Sequence, residues 1–472
     1  MKILAVTGKL AEMEVRKHIE DAHVVNIDVA AFITPSHLKD LDLSNYDLVL
    51  VPGLAKGNWK KLEEEKGVKI RLGPIHASDL EIILENIDSI EPSHTVPACR
   101  LLNTSRAEEN IRLVDSLDDF AFKIGNVKIG GNTRMKIVAE IVDATELEKE
   151  EITSKIDYYK ESGADIIDLG IPVEFSVDDV RRAVKIAVEH SEVPISIDTF
   201  SKRAIEAGVE AGAEMVMSIS KLNVNAIEAV GDSAVVVVDR DIKTLKNLIE
   251  KVKKKTEKVI ADCLLDPPLL VSESIMRYRN FRDLDSFTPL LFGAGNVTEL
   301  SDADSTGINA LLAFIAEETG VNIIFTTEAS QKTRGCVREL RNAVYMAKAA
   351  RLRRTPPKDL GIDLLVLKEK NLLETCKPEY YVEASQSEFV RDRCGDFRIW
   401  NHDGKIICSH ERLIIAGKNA KSISDTIIKN DLISRLDHAA YLGRELKKAE
   451  IALKLGKNYI QDFELNFGIY SN

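Results

Sequence analysis

The stretches ADIIDLG at residues 164–170 and PISIDT at residues 194–199 carry the clearest signal of the fold in this sequence. Each is a short apolar run that reaches an aspartate and then a turn residue, and each follows a stretch with helical periodicity. This pattern indicates buried parallel strands whose C-terminal ends deliver Asp168 and Asp198 to loops. In a closed (β/α)8 barrel, those loops are where the chemistry takes place.

The same alternation continues through residues 131–354, which we predict to form the barrel. Eight strand-like runs alternate with eight amphipathic stretches in about 220 residues, close to the ~250 residues typical of a (β/α)8 barrel. Right-handed crossovers then place all the strand ends on one face. The predicted strands are Ile137–Val142, Asp165–Leu169, Ile195–Asp198, Met215–Ser218, Ala234–Val238, Val259–Cys263, Leu290–Phe292 and Ile323–Thr326.

Residues 1–130 predict a separate, doubly wound α/β domain of flavodoxin-like or Rossmann-like type. Strand-like runs alternate here with helical stretches, which is typical of a parallel sheet. Glycines follow several of the strands, but no GxGxxG motif is present, which weakens a dinucleotide-binding interpretation. The predicted strands are Ile3–Val6, Val24–Ile27, Asp47–Val51 and Val68–Leu72, and the predicted helices are Leu10–Ile19 and Asp79–Ile87.

Residues 355–472 predict an α+β domain after the linker RRTPPK at residues 353–358, since Pro-Pro cannot continue a helix. Asp403-Gly404 between two strand-like runs indicates a hairpin. The cysteines and histidines nearby match no zinc-binding spacing. We interpret the domain as an oligomerisation or lid module. Its predicted elements are the strands Leu364–Leu367, Tyr380–Val382, Asp396–Trp400, Lys405–Ser409 and Arg412–Ala416 and the helix Leu436–Leu455.

The composition excludes several classes of protein. Of the 472 residues, 44% are hydrophobic and 30% are charged, and the net charge is -12. That charge disfavours nucleic-acid binding, which needs a basic surface. No apolar run reaches the ~18–20 residues needed to span a bilayer. Six cysteines without a CxxC pair indicate reduced thiols, so we expect a cytoplasmic protein that binds neither nucleic acid nor membrane.

The barrel sequence resembles the dihydropteroate synthase family and its relatives, the pterin-binding barrels, over about residues 134–350. The motifs at residues 164–170 and 194–199 resemble the second and third strands of that family, and Asp266-Pro267 resembles its "DP" pair. The resemblance implies that Asp198 and Asp266 hold a pterin. One carboxylate can accept two N–H groups from the pterin edge in a bidentate pair. As a whole, the chain looks most like archaeal dihydropteroate synthase-related proteins.

Further candidates lie at the other predicted strand ends. On the same resemblance, we expect Glu140, Asp143, Asp168 and Ser218 to contribute to the pterin site. Thr199 and Arg334 are candidates for contacting a phosphate or a second substrate. The sequence does not identify a catalytic residue, and no metal ligand is predicted.

Departures from the synthase pattern point to a second branch of the superfamily. The synthase lysine of the seventh strand is absent, and Gly295-Asn296-Val297 stands in its place. Glu140 lies in a segment that resembles the "GERIN" motif of pterin-dependent corrinoid methyltransferases, and residues 293–296 resemble their "GLSN" motif. This resemblance implies that Asn296 contacts the pterin.

Three functions remain open from the sequence, and the whole-chain resemblance ranks the first of them highest. The first is a dihydropteroate synthase-like transferase that joins a pterin-methyl diphosphate to an arylamine in folate or tetrahydromethanopterin biosynthesis, with Mg2+ as its cofactor. The second is a methyltransferase that passes the methyl group of a reduced N5-methyl pterin, such as methyl-tetrahydromethanopterin, to a corrinoid or thiol acceptor. The third is a non-catalytic pterin-binding protein. We expect a homodimer, with a corrinoid or methyl-acceptor protein as partner if the second function holds.

Overall fold

A computed structural model describes residues 1–370, 380–385 and 388–471 of the chain. The chain divides into two compact units, Met1–Cys376 and Lys377–Asn472. The predicted three-part division at residues 130 and 354 stays a prediction. Within the described ranges, no helix is long and apolar enough to cross a membrane.

The first unit begins with the predicted doubly wound sheet. Its four strands are all parallel and lie in the order β2-β1-β3-β4. The second strand starts two residues earlier and ends three residues earlier than predicted, because the residues that pair with Ala5 to Thr7 are Ala22 to Val24. The elements are β1 (Ile3–Thr7), α1 (Glu12–His18), β2 (Ala22–Val24), β3 (Leu48–Val51), α2 (Trp59–Lys66), β4 (Lys69–Leu72), α3 (Leu80–Glu85) and α4 (Ala98–Asp115).

The predicted barrel follows and is closed. Eight parallel strands form the ring, and the last strand pairs with the first from Ile323 with Lys136 to Thr327 with Glu140. The strands are β7 (Lys136–Ile141), β8 (Ile166–Gly170), β9 (Ile195–Asp198), β10 (Met215–Ile219), β11 (Ala234–Val238), β12 (Val259–Asp262), β13 (Leu290–Gly293) and β14 (Ile323–Thr327). The helices are α5 (Lys149–Ser162), α6 (Val177–His190), α7 (Lys202–Glu210), α8 (Ile242–Val252), α9 (Val271–Leu284), α10 (Gly295–Thr298), α11 (Ser305–Glu318) and α12 (Cys336–Arg353). Between β10 and β11, a 3-10 segment at Val224–Ala229 replaces a full helix.

Alternation along the strands separates two apolar clusters. One set of side chains, including Ile167 and Ile197, packs outward against the helices. The other set, including Val138, Ile166 and Ile260, fills the interior of the barrel. Successive side chains point to opposite faces of a strand, so the residues two positions further along also face inward. The inward positions at the C-terminal ends are therefore Glu140, Asp168 and Asp262.

A hairpin that the sequence analysis missed closes the opposite end of the barrel. Its strands are β5 (Phe122–Ile124) and β6 (Val127–Ile129), and they are antiparallel. Ile124 and Ile129 are buried and belong to the same apolar cluster as the barrel interior. Three-residue strands are too short to give a recognisable alternation, which explains why the pattern was not predicted.

The second unit is the predicted α+β fold. The predicted hairpin and the strand after it form an antiparallel sheet, and a loop with Asp403 and Gly404 at positive φ joins the first two strands. Its elements are β15 (Arg398–His402), β16 (Lys405–His410), β17 (Leu413–Gly417), α13 (Ala420–Lys429) and α14 (Leu436–Leu455). The strands predicted at residues 364–367 and 380–382 are wrong. Their apolar side chains are largely exposed, and neither segment pairs with another strand among the described residues.

We predict that the hairpin stabilises the barrel by filling its lower end. Ile129→Ala should lower the free energy of unfolding by about 2–4 kcal/mol, because it removes a fully buried side chain and leaves a cavity. Val127→Ala, on the same strand but half-buried, is the control and should cost less than half as much. The measurement is urea-induced unfolding followed by circular dichroism. Equal losses in the two variants would show that the hairpin does not act as a plug.

Candidate functional site

Three neighbouring strands bring three carboxyl groups together at the mouth of the barrel. Glu140 on β7 lies directly beside Asp168 on β8, and Asp198 on β9 lies beside Gly170 at the end of β8. One carboxylate oxygen from each of Glu140, Asp168 and Asp198 lies within 4.8 Å of the others. With Asp262 on β12, we refer to these groups as the mouth carboxyls.

Asp168 is the most constrained member of the mouth carboxyls. It is fully buried, and neither of its carboxylate oxygens has a hydrogen-bond partner among the described residues. Burial raises the pKa of Asp168 well above its usual value, and the charges of Asp198 and Glu140 raise it further. The group therefore favours either a proton or a ligand that donates hydrogen bonds.

The other mouth carboxyls are also pushed toward the neutral form. Burial, followed by the charge of Asp198, raises the pKa of Glu140 to about 7. Burial and the charge of Asp262 raise the pKa of Asp198 to about 7. Burial raises the pKa of Asp262 to about 6, although Tyr278 donates a hydrogen bond of 2.7 Å to it. At neutral pH these groups are partly protonated and can both donate and accept protons.

No lysine or arginine among the described residues forms an ion pair with a mouth carboxyl. Protons, or hydrogen bonds from a ligand, therefore stabilise these buried carboxyl groups. The N–H donors of a pterin edge are groups of the kind that hydrogen-bond to a carboxylate. The close oxygens of Glu140, Asp168 and Asp198 also have the chemistry of Mg2+ ligands, which would neutralise the same charge.

Gly170 makes room for this arrangement at the end of β8. A Cβ atom at this position would lie 2.5 Å from Oε1 of Glu140. Any larger residue would therefore displace the Glu140 side chain from beside Asp168. In the sequence analysis, Gly170 appeared only as a turn residue, because the approach of a side chain from another strand cannot be seen in the sequence.

Asp266 lies in the loop after β12, where its carboxylate is already paired. Its Oδ2 accepts hydrogen bonds from Arg277 (2.6 Å) and Ser274 (3.0 Å), and Nη2 of Arg240 lies 2.5 Å from its Oδ1. Burial opposes ionisation, but these hydrogen bonds and the two arginine charges hold the pKa of Asp266 below its usual value. Asp266 is thus held in its ionised form by the two arginines, whereas the mouth carboxyls have raised pKa values and no arginine partner.

The remaining predicted residues lie on neighbouring loops. Asn296 is exposed on α10 and donates a hydrogen bond of 2.7 Å to the Leu265 carbonyl oxygen, next to Asp266. Thr199 is buried, and its hydroxyl accepts a hydrogen bond from the Ser201 backbone N–H. Asp143 is exposed at the end of β7 with a positive φ.

A buried asparagine that the sequence analysis did not single out holds two mouth loops together. The Asn223 amide donates to the carbonyl oxygens of Ser218 (3.0 Å) and Phe200 (3.2 Å). Its oxygen accepts a hydrogen bond of 2.7 Å from the Ser220 N–H. The predicted site residue Ser218 is therefore fixed through its backbone. Only the folded chain shows why an asparagine stands at position 223.

Arg334 is exposed beside the N-terminus of α12. The backbone N–H groups at this terminus bind a carboxylate of the chain itself, that of Glu328. Glu328 accepts hydrogen bonds from the backbone N–H groups of Gly335 (2.8 Å) and Val337 (3.0 Å) and from the Tyr158 hydroxyl (2.8 Å). A helix N-terminus is a common position for phosphate. In this fold, a side-chain carboxylate occupies it.

Of the predicted residues, the structure thus brings carboxylate oxygens of Glu140, Asp168 and Asp198 within 4.8 Å of one another and places Asn296 beside the Asp266 loop. Among the described residues, neither Arg334 nor Thr199 forms a hydrogen bond or ion pair with a mouth carboxyl. Asp262 also belongs to the site, although it was not among the candidate site residues predicted from the sequence. Its position at the end of the apolar run of β12 could have indicated it, and the inward-facing Ile260 two residues earlier confirms its direction.

Comparisons with known proteins agree with this architecture. A family model described as "Pterin binding enzyme" matches residues 140–266, and one described as "PterinBD-DUF4346" matches residues 391–462. The chain is 39% identical to "Uncharacterized protein MJ0107" of Methanocaldococcus jannaschii, over 98% of this chain and 99% of that protein. It is 44% identical to "Ycf91-like protein" of a Nostoc species over 52 residues, which are 10% of this chain and 41% of that protein.

Solved dihydropteroate synthases also align with the chain. The Yersinia pestis enzyme with a pterine-sulfa conjugate aligns over 49% of this chain and 99% of its own, with 18% identity and a TM-score of 0.41. The Xanthomonas albilineans enzyme in complex with 7,8-dihydropteroate aligns over 47% of this chain and 94% of its own, with 18% identity and a TM-score of 0.36. The family match confirms the predicted resemblance and the barrel of pterin-binding type.

We predict that Glu140 makes the stability of the protein depend on pH. A glutamate in the unfolded chain has a pKa of about 4.3, whereas the pKa of folded Glu140 is about 7. Between these values the folded form keeps a proton that the unfolded form has lost, so its stabilising effect disappears as the pH rises. Glu140→Gln removes this effect. Relative to the wild type, the variant should gain about 2–3 kcal/mol of unfolding free energy between pH 4.5 and pH 8.

The measurement is urea-induced unfolding of both proteins at several pH values. Glu150→Gln, at an exposed position on α5 in the same part of the barrel, is the control and should show no pH-dependent difference. If the stability difference between Glu140→Gln and the wild type were constant across this pH range, the carboxyl group would be ionised throughout and the assignment would be wrong.

Proposed function

We propose that this chain, which belongs to the family of the Methanocaldococcus jannaschii protein MJ0107, binds a reduced pterin in its barrel mouth and acts on it as a transferase. The observation that carries the proposal is the group of mouth carboxyls, which lack a cationic partner among the described residues. The family match to pterin-binding enzymes covers the same strands, from residue 140 to residue 266.

The binding mode follows from which carboxyl oxygens are free. Asp168 and Asp198 would accept the N–H donors of the aminopyrimidinone edge, since these carboxyls have no arginine partner. Hydrogen bonds to such buried oxygens would offset the cost of burying them. Asp266, with its two arginines, and Asn296 would then border the opposite side of the ligand. Tetrahydromethanopterin or a related reduced pterin is the proposed ligand.

The geometry supports methyl transfer as the reaction. In this reaction the bond between N5 and the methyl carbon breaks, a bond from that carbon to a corrinoid or thiolate acceptor forms, and N5 takes up a proton. Proton donation to the leaving nitrogen lowers the barrier when the acid has a pKa close to the working pH. Glu140, with a pKa of about 7, meets that condition.

A synthase-like reaction is the second candidate, favoured by one observation. A cavity of about 190 Å3 beside the loop after β14 is lined by Lys155, Arg334 and Ser330, which could bind a diphosphate, with Mg2+ at Glu140. Against it, Glu328 already occupies the N–H groups at the start of α12. We therefore rank the synthase second.

We predict that Asp198→Asn weakens binding of a reduced pterin by about 2–4 kcal/mol, because an amide replaces one acceptor oxygen with a donor. Isothermal titration calorimetry measures the effect. Asp241→Asn is the matched control, since Asp241 caps α8 at the same end of the barrel and asparagine caps a helix equally well. Binding that is unchanged in Asp198→Asn would remove this residue from the ligand site.

We predict that the wild-type protein demethylates a reduced N5-methyl pterin in the presence of cob(I)alamin or a thiol, and that it releases no pyrophosphate from a pterin-methyl diphosphate with an arylamine. Pyrophosphate release by the wild type would establish the synthase instead. Pterin binding without either reaction would contradict the transferase proposal.

We predict that Asn296→Ala weakens pterin binding with little effect on stability, because the Asn296 side chain is exposed on α10.

A further inference from the structure

The end of the barrel opposite the mouth contains a cavity that the proposed function does not use. It has a volume of about 280 Å3 and lies between the hairpin, the end of α4 and the starts of β7, β8 and β9. A second cavity of about 290 Å3, on the other side of the hairpin turn, shares Asn126 and Val193 with it. Together they provide space for a ligand larger than water.

Most charges that line the first cavity are paired. Arg134 forms two hydrogen bonds with the carboxylate of Asp165, at 2.8 and 2.7 Å, and stacks over the Tyr345 ring. Asp165 also accepts a hydrogen bond of 2.9 Å from the Ile137 N–H. Lys128 pairs with Asp118 at 2.5 Å. These groups are neutralised by partners within the chain.

Lys136, at the start of β7, differs from them. Only 8% of its surface is exposed, and its ammonium group forms no hydrogen bond or ion pair with any residue that the structure describes. Burial, followed by the charge of Arg134, lowers the pKa of Lys136 to about 8, and the charges of Asp165 and Asp115 oppose this only in part. An unpaired buried cation is costly to a fold, so such groups normally have a partner.

We propose that this cavity is a second ligand site, in which the ammonium group of Lys136 binds a small oxyanion, either a phosphate or a carboxylate group. The strongly hydrated point charge of lysine suits such groups, and its charge-assisted hydrogen bond to an oxyanion is stronger in a partly buried site. Arg134 stays engaged with Asp165, and Asn126 lies at the edge shared with the second cavity.

This site is separate from the barrel mouth. Lys136 lies at the N-terminal end of β7, and Glu140 lies near the other end of the same strand. The barrel interior between the two ends is filled with apolar side chains. The oxyanion is therefore not part of the pterin site, and the proposal does not depend on the proposed function.

The test is thermal unfolding of the full chain at pH 7 in increasing inorganic phosphate or acetate, with sodium chloride keeping the ionic strength constant. At least one of the two anions should raise the Tm of the wild type by about 2–4 °C in a saturable manner. Lys136→Met should lose this shift. Lys258→Met is the matched control, because Lys258 directly precedes β12 at the same end of the barrel and is paired with Asp232.

The two anions also identify the group that is recognised. A shift with phosphate alone indicates a phosphate site, and a shift with acetate alone indicates a carboxylate site. In chloride, Lys136→Met should unfold at the wild-type temperature or above it, because it loses a buried unpaired cation and keeps an apolar stem. A lower Tm of Lys136→Met in chloride would indicate a structural role and overturn the proposal. Equal anion shifts in the wild type and Lys136→Met, or no shift in the wild type, would also overturn it.

A second measurement uses the wild type alone and so does not depend on a variant that folds. Acylation of lysines by acetic anhydride, mapped by mass spectrometry, should be several-fold slower at Lys136 in the stabilising anion than in chloride, because the bound anion blocks the amine. The rate at Lys258 should stay the same. Equal rates at Lys136 in both salts would overturn the proposal.

Discussion

The pairing of β14 with β7 closes the barrel and sets the orientation of the side chains of these two strands at its mouth. The register that pairs Thr327 with Glu140 fixes which side chains of both strands point inward. A shift by one residue would turn Glu140 outward into the helix layer and bring Ile141 into the mouth. Each of the other strands also pairs with two neighbours, and its own registers fix which of its side chains point inward.

The closed barrel buries carboxyl groups at its mouth, where the ionised form is disfavoured because little water reaches it. Asp168 has no hydrogen-bond partner among the described residues, and the pKa values of the mouth carboxyls are raised, chiefly by burial. The burial of apolar side chains in the two clusters on either side of the strands offsets the free energy that burying these carboxyl groups costs. A fold that keeps such strain at one end of a well-packed barrel is suited to binding a ligand that relieves it.

The two carboxylates of the β12 region illustrate how local contacts decide the role of an aspartate. Asp262 accepts hydrogen bonds from the Tyr278 hydroxyl and the Leu264 N–H, yet burial still raises its pKa to about 6. Four residues later, Arg277 and Arg240 keep the pKa of Asp266 low. The first can exchange protons, whereas the second holds the loop in place as a permanent anion. Side chains with the same chemistry therefore differ in function because of the charges around them.

Patterns in the sequence alone were enough to predict the barrel, the parallel sheet before it, and the hairpin and long helix near the C-terminus. These elements follow from local periodicity and turn residues, such as the apolar runs ending at Asp168 and Asp198 or the Asp403-Gly404 turn. The motif resemblance also singled out Glu140, Asp168 and Asp198, which lie together in the fold. Which carboxyls are free and which are paired follows from tertiary contacts. Contacts such as Arg240 with Asp266, Asn223 with Phe200 or Glu140 with Gly170 join residues that are far apart in the chain, and local patterns carry no information about them.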